Sequence, residues 1–322
     1  MKTESASPIA VIDVGSNSIK LLVAACEQQV LHPLYSHTIT SRISKGISDP
    51  RHLLSEESMQ RGVHAICELV NSARQHGCKQ IAIVATSAVR DAMNKADFQQ
   101  LVHQQSGEEL QILSGEEEAR AIGRGILLDA DIRRQNGAQI IDLGGGSMEY
   151  LLFERGEPRQ IHSYQLGSVR LTELAQSAGI GLHDTRIMDW VRGSIHTALE
   201  GPPRCLLLDT HAPLYGAGGS LFTIYHLATE TGRLSGISLT RELLQQLYRE
   251  VLPLSLEQRA ALPGVTAGRA DILPIAIATL DVVCEIAEQP SISLCPYNLR
   301  YGIAAQILNA TDAVVSITQY GH

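Results

Sequence analysis

Aromatic residues are scarce in this 322-residue sequence: one Trp, three Phe and nine Tyr, 4% in all. That argues against a platform on which nucleic-acid bases stack, and it requires an aliphatic core. Basic residues are outnumbered, 26 Lys and Arg against 34 Asp and Glu, a net charge of −8. A general nucleic-acid or membrane-surface binder is thereby disfavoured, while a local basic pocket for an anion is not. The cysteines Cys26, Cys67, Cys78, Cys205, Cys284 and Cys295 form no C-x-x-C pair and no zinc-finger spacing with histidine. Most lie in apolar surroundings, as free thiols of a reducing compartment do. Long uninterrupted apolar runs are also missing. Ile272 to Ala287 is broken by Pro274, Asp281 and Glu285, so it reads as a buried helix and not a membrane span. Met1 to Pro8 shows no signal-type apolar region. The expectation is a soluble, cytoplasmic protein of one large or two medium domains, with a two-fold homodimer as the default assembly.

Glycine is where the sequence is emphatic. Gln139 to Phe153 reads Q-I-I-D-L-G-G-G-S-M-E-Y-L-L-F, the pattern of strand, tight turn and strand. Gly144, Gly145, Gly146 and Ser147 allow a concave nest of backbone N–H groups that suits an anion. Asp142 and Glu149 flank the turn, and paired carboxylates beside phosphate suit a divalent cation. An ordinary glycine turn with two solvated acids is the competing reading of this stretch. Ile9 to Ala24 repeats the pattern at an offset of 129 (142 minus 13): Asp13 falls on Asp142, Gly15 on Gly144 and Ser18 on Ser147. Two matched copies are a far stronger signal than one. They predict two related domains, with the boundary in or just after the helix that ends near Leu128: 1–127 and 128–322.

Along the first half, a third strand is expected over Tyr35 to Lys45. Ser55 opens an amphipathic helix that Gly77 stops. Gln80 to Ala85 and Leu110 to Leu113 are short strands. Ser114 and Glu117 fit a capping box at the head of the helix Glu116 to Leu128. In the second half, strands are expected at Ile161 to Leu166, Arg204 to Leu208, Leu214 to Gly219 and Ile292 to Leu294. Helices are expected from Leu171, Ile187, Leu221, Thr240, Leu256, Asp271 and Tyr297. Alternating strands and helices make this an α/β protein.

Seven ordered motifs, D-V-G-S-N-S (13–18), A-T-S-A-V-R-D-A (85–92), L-S-G-E-E-E-A (113–119), D-L-G-G-G-S-M-E (142–149), G-S-V-R-L (167–171), G-A-G-G-S (216–220) and G-R-A-D-I-L-P (268–274), run through nearly the whole chain. Together they resemble the exopolyphosphatase / guanosine pentaphosphate phosphohydrolase family of the actin–Hsp70–sugar kinase superfamily, in its short two-domain form. The resemblance implies two actin-like (ribonuclease H-like) domains, mixed sheets flanked by helices, and an interdomain cleft. It implies inorganic polyphosphate or guanosine pentaphosphate as substrate, attacked by water at the terminal phosphorus. Gly15, Ser16, Asn17, Ser18, Gly144, Gly145, Gly146 and Ser147 would bind phosphate, joined by Arg90, Ser168 and Arg170. Asp142 and Glu149, with Asp13 as a further partner, would hold Mg²⁺ or another divalent cation. Acids in the first turn of a helix suit its dipole in any protein, so Glu116, Glu117 and Glu118 are by composition a solvated helix start. The resemblance changes this for Glu118 alone, as the general base. Two readings stand for Gly216 to Ser220, a cleft lining or a simple turn, and two for Asp271, a helix cap or a cleft residue. Met148 stands where relatives usually carry Thr, and Cys295-Pro296-Tyr297-Asn298 replaces a more usual Asp/Gly-containing turn. An ATP-using actin-like enzyme and a catalytically silent polyphosphate or nucleotide sensor are the rival functions.

Overall fold

The computed structural model describes residues 7–46, 51–200, 212–310 and 314–315. It divides into two compact units, one running to Arg134 and resuming at Tyr297, the other spanning Gln135–Pro296. The expected strand at Arg204 to Leu208, with Cys205, lies outside the described residues.

The first unit starts with three antiparallel strands, β1 (Ile9–Val14), β2 (Ser18–Glu27) and β3 (Val30–Thr40). The third strand thus begins five residues before the expected Tyr35, because Gln28 and Gln29 turn the chain at positive φ. Helix α1 (Glu56–Gln75) is capped by the Ser55 side chain accepting from the Ser58 N–H. It leads to β4 (Gln80–Ala85), α2 (Ser87–Arg90), α3 (Lys95–Ser106) and β5 (Leu110–Ile112). β4 and β5 extend the sheet in parallel beside β1. Helix α4 (Gly115–Ile126) carries the expected Ser114/Glu117 capping box, and α5 (Ala130–Arg133) follows.

The second unit repeats this plan. β6 (Gly137–Leu143), β7 (Met148–Glu154) and β8 (Glu157–Tyr164) are antiparallel. Then come α6 (Ser168–Ser177), α7 (Ile187–Glu200), β9 (Leu214–Ala217), α8 (Gly219–Glu230), β10 (Ser238–Thr240), α9 (Arg241–Val251) and α10 (Leu256–Ala260). A 3-10 turn (Ala267–Arg269), α11 (Leu273–Ile286) and β11 (Ser291–Leu294) complete it. The sheet order is β10-β11-β9-β6-β7-β8, matching β5-β4-β1-β2-β3 of the first unit from β11 onward. α11 begins two residues after Asp271, with Ile272 as N-cap and Pro274 in its first turn, so Asp271 is not its cap.

The chain then returns to the first unit as α12 (Leu299–Ile307), with β12 (Val314–Val315) pairing with β3. This corrects the expected 128–322 domain. The reason is packing. Successive residues of β1 face opposite sides of the sheet: Ala10, Ile12 and Val14 join the cluster under α1, while Ile9 and Val11 need a cover of their own. Ala304 and Ala305 of α12 supply it. Where α12 crosses α4, a side chain on Gly302 or Gly125 would run into the backbone of the other helix. Among the described residues, no helix is long and apolar enough to cross a membrane.

Candidate active site

The two glycine loops are built alike. In the first, the Gly15 N–H donates to the Ser18 carbonyl at 3.2 Å; in the second, Gly144 donates to Ser147 at 3.1 Å. Each loop is then held by its carbonyls. Ser44 donates to the Ser16 carbonyl through both N–H and hydroxyl, and the Ser41 and Arg42 N–H groups donate to Asn17. In the second loop, the Ser168 N–H and hydroxyl donate to the Gly144 carbonyl, the Val169 and Arg170 N–H groups to Gly145, and Arg170 Nε to Gly146 at 2.8 Å. In a trans peptide the N–H points opposite to the C=O. Drawing these carbonyls inward therefore turns the amides of Asn17 and Ser18, and of Gly145, Gly146 and Ser147, to the other side. Amides so turned are what an anion-binding nest requires.

Ser168 is fully buried, and its hydroxyl is engaged with the Gly144 carbonyl and with Ser220 at 2.8 Å, so that it braces the loop. Arg170, also buried, does the same through Nε. The fit is close enough that a Cβ on Gly167 would strike the Gly145 and Gly146 backbone.

Asp142 and Glu149 sit directly opposite one another on β6 and β7. Directly opposed residues of an antiparallel pair project from one face, with Cβ atoms about 5 Å apart. Both are buried, and the Ser163 hydroxyl of β8 donates to Glu149 Oε1 at 2.7 Å. Like charges so placed disfavour one another. Two hard oxygen donors in that position fit a divalent cation that keeps water or substrate oxygens in its other positions. Gly218, at φ +91°, leaves room for the Asp142 carboxylate; a side chain there would collide with it. The G-A-G-G-S turn thus shapes the carboxylate's surroundings. Arg269 fills the space over Gly219, a residue that sequence reasoning passed over although its motif was noted.

In the first unit, the three glutamates of α4 separate cleanly. Glu116 pairs with Arg120 on the exposed face at 2.7 Å. Glu117 accepts the Ser114 N–H in the capping box, which holds its carboxyl below the usual range. Glu118 alone is buried, with Oε2 accepting from Arg90 Nη1 at 2.6 Å. Arg90 also donates to the Leu113 carbonyl at 3.2 Å. Arg90, expected on phosphate, engages Glu118. Its half-buried interaction with neighbouring Asp91 is longer, at 3.8 Å.

Asp13, expected as a further metal partner, lies enclosed beside two cations. Burial pushes its carboxyl above the ordinary value, and Lys20 and Arg300 oppose that rise. Arg300 is a buried guanidinium whose Nη1 donates to the Leu21 carbonyl at 2.9 Å and to Ser36 Oγ at 3.1 Å. Burial lowers its basicity, and Asp13 offsets part of the loss. Nothing in the local pattern around Arg300 announces it, since it lies 287 positions (300 minus 13) from Asp13 in the chain.

The chain is similar to known proteins over most of its length. Exopolyphosphatase 1 of Mycobacterium tuberculosis is 28% identical over 318 residues, covering 94% of this chain and 88% of the relative. A guanosine-5'-triphosphate,3'-diphosphate pyrophosphatase of Aliivibrio fischeri is 26% identical over 312 residues; this chain spans 60% of its length, and 94% of this chain is covered. The crystal structure of an exopolyphosphatase from Cytophaga hutchinsonii superposes with a TM-score of 0.77 at 21% identity, covering 94% of this chain and 98% of that one. The family profile matches residues 22–311. The chain belongs to the Ppx/GppA phosphatase family.

Proposed function

We propose that this protein is a phosphoanhydride hydrolase that releases the terminal phosphate of inorganic polyphosphate or of guanosine pentaphosphate. The single observation that carries the reading is Glu118: the one buried acid of its helix start, fixed by Arg90 at 2.6 Å. A carboxylate held in one orientation is what aligning and deprotonating an attacking water requires.

The other tasks of phosphoryl transfer are charge neutralisation and positioning. The amides of Asn17 and Ser18 and of Gly145, Gly146 and Ser147 are suited to hold phosphate oxygens. Asp142 and Glu149 would hold Mg²⁺, which when bound would neutralise phosphate charge. Ser163 orients Glu149, and Ser168, Arg170 and Gly167 fix the loop that follows Asp142. Glu118 accepts the water proton, and Arg90 keeps that carboxylate in place. An ATP-using kinase would need an adenosine pocket at Gly216 to Ser220; the Arg269 guanidinium packed over Gly219 weighs against it.

The test is phosphate release by the pure full chain with Mg²⁺ and polyphosphate, guanosine pentaphosphate or ATP. Release from either of the first two is expected. Release from ATP alone, or binding of one substrate with turnover of none, overturns the proposal. Glu118→Gln should lower turnover by about 10²–10⁴-fold while substrate still binds.

A further inference from the structure

The first glycine loop is held from farther away than the second. The offset of 129 sets Asn17 on Gly146 (146 minus 17). In the second unit the Gly146 carbonyl accepts directly from a guanidinium, Arg170 Nε at 2.8 Å. In the first unit the Asn17 carbonyl accepts backbone N–H groups instead, from Ser41 at 3.2 Å and from Arg42 at 3.0 Å. A guanidinium stands behind them. Arg61 of α1 donates from Nε to the Ser41 carbonyl at 3.2 Å, and its Nη2 reaches the Arg42 carbonyl at 3.5 Å. The Ser41 C=O and the Arg42 N–H belong to one peptide group and point in opposite directions. The Asn17 C=O and the Ser18 N–H make up another. The bonds therefore run in line: the Arg61 guanidinium, the Ser41–Arg42 peptide, the Asn17–Ser18 peptide, and then the Ser18 N–H on the nest side. Hydrogen bonds in such a chain polarise one another, and a charged donor at its head strengthens it.

The head of the chain is itself fixed. Arg42 sits at φ +47°, a conformation that a residue with a Cβ keeps only where its surroundings hold it. Arg61 bonds the carbonyls on both sides of that angle. One residue on, Gly62 brings α1 so near that a Cβ there would stand 3.0 Å from the Ile43 side chain. Arg61 is steadied in turn by Ser58 Oγ at 3.0 Å and by Glu57 at 2.6 Å. We propose that Arg61 is a positioning residue of the phosphate site. Through the Ser41–Arg42 peptide it sets and polarises the Ser18 amide, as Arg170 does for the Ser147 amide in the second loop. This relay deepens the hydrolase reading and rests on it for the identity of the substrate.

The experiment compares wild type, Arg61→Met, Arg61→Lys and Glu57→Gln as full chains in two assays: calorimetric titration with tripolyphosphate, and phosphate release from polyphosphate with Mg²⁺. Arg61→Met should weaken tripolyphosphate by about 3- to 10-fold and lower kcat/KM by about 10- to 10²-fold. Arg61→Lys should recover most of both. Glu57→Gln removes the exposed ion pair and leaves the carbonyl bonds, so it should stay within about twofold of wild type in both. The Arg61→Met losses should persist at about 0.5 M salt, where a charge acting through space is screened. Thermal melting checks each fold, and Arg61→Gln replaces Arg61→Met if the latter does not fold. Wild-type values in the folded neutral variant, a loss matched by Glu57→Gln, or a loss that vanishes in high salt overturns the relay. So does a wild type that leaves tripolyphosphate unbound. The expected losses of tripolyphosphate affinity, with no phosphate released by wild type, would instead reject the hydrolase reading and leave the relay standing.

Discussion

The Arg90–Glu118 pair can be tested by a double-mutant cycle built from Arg90→Gln and Glu118→Gln. The nitrogen–oxygen distance is 2.6 Å, and the side chains are 20% and 7% exposed. Charges about 4 Å apart at an effective dielectric of 20 attract by about 4 kcal/mol. Desolvation of Glu118 offsets part of this, which leaves a coupling on the order of 1–3 kcal/mol. Arg90→Gln should be the costlier single change, because it leaves a buried carboxylate without its cation. Glu118→Gln leaves a guanidinium that still has the Leu113 carbonyl and some water. For a unit of this size, each kcal/mol corresponds to roughly 2–4 °C in melting temperature. Scanning calorimetry of the four proteins reads the coupling. Additivity within about 0.5 kcal/mol would refute the claim that Arg90 fixes Glu118. Kinetics supply an independent arm. If Arg90 acts through Glu118, each single variant loses kcat and the double variant loses little more. If Arg90 instead grips phosphate, Arg90→Gln raises KM, and its effect adds to that of Glu118→Gln.

Gly167→Ala forces a methyl group into the Gly145 and Gly146 backbone. Overpacking of that kind costs roughly 1–3 kcal/mol, and a loop displaced by about 1 Å loses on the order of 10² in kcat/KM; a variant with wild-type kinetics refutes the bracing role of α6. Gly193 is the contrasting case, an exposed position within α7 where a Cβ meets nothing within 4 Å. Gly193→Ala should stabilise the chain by about 0.5–1 kcal/mol, read as a higher urea midpoint. Glu285 is held below its ordinary value of 4.5 by hydrogen bonds from Arg192, with Arg241 adding to the effect. A depressed carboxylate contributes stability that is present above its ordinary value and lost as pH falls through the depressed one. The pair is partly solvent-screened, so Glu285→Gln should cost no more than about 1 kcal/mol at pH 7. The gap from wild type should close below pH 4.5, and a melting difference that persists unchanged well into acid rejects the assignment.

What was legible in the sequence was what local chemistry dictates. Ser55, Ser114 and Thr240 cap their helices as their side chains suggest. The duplicated D-x-G pattern becomes two hairpins of one topology. Glu118 was legible only through the family resemblance, because composition cannot say which of three adjacent glutamates turns inward. Partners distant in the chain were not legible. Arg300 reaches Leu21 and Ser36 across most of the sequence, and α12 joins the first unit because β1 has a second apolar face to cover. Ser168 and Arg170 were noticed as phosphate contacts, and their grip on the loop carbonyls was not legible. A serine and an arginine at a helix start read as ligand contacts until the loop carbonyls they engage are seen.

The duplication shows where function was free to diverge. Both loops keep the same glycine N–H to serine carbonyl bond across the turn, at 3.2 and 3.1 Å. Both have their carbonyls drawn inward, yet by unrelated segments: residues 41–44 in one unit and 168–170 in the other. Backbone geometry is therefore the retained quantity, and the means of holding it are interchangeable. Charge is not retained. A Lys at the register position opposite Asp13, where the other copy has Glu opposite Asp142, turns a pair of like charges into a pair of opposite charges without disturbing a strand. A fold repeated in one chain thus does not imply a site repeated in it.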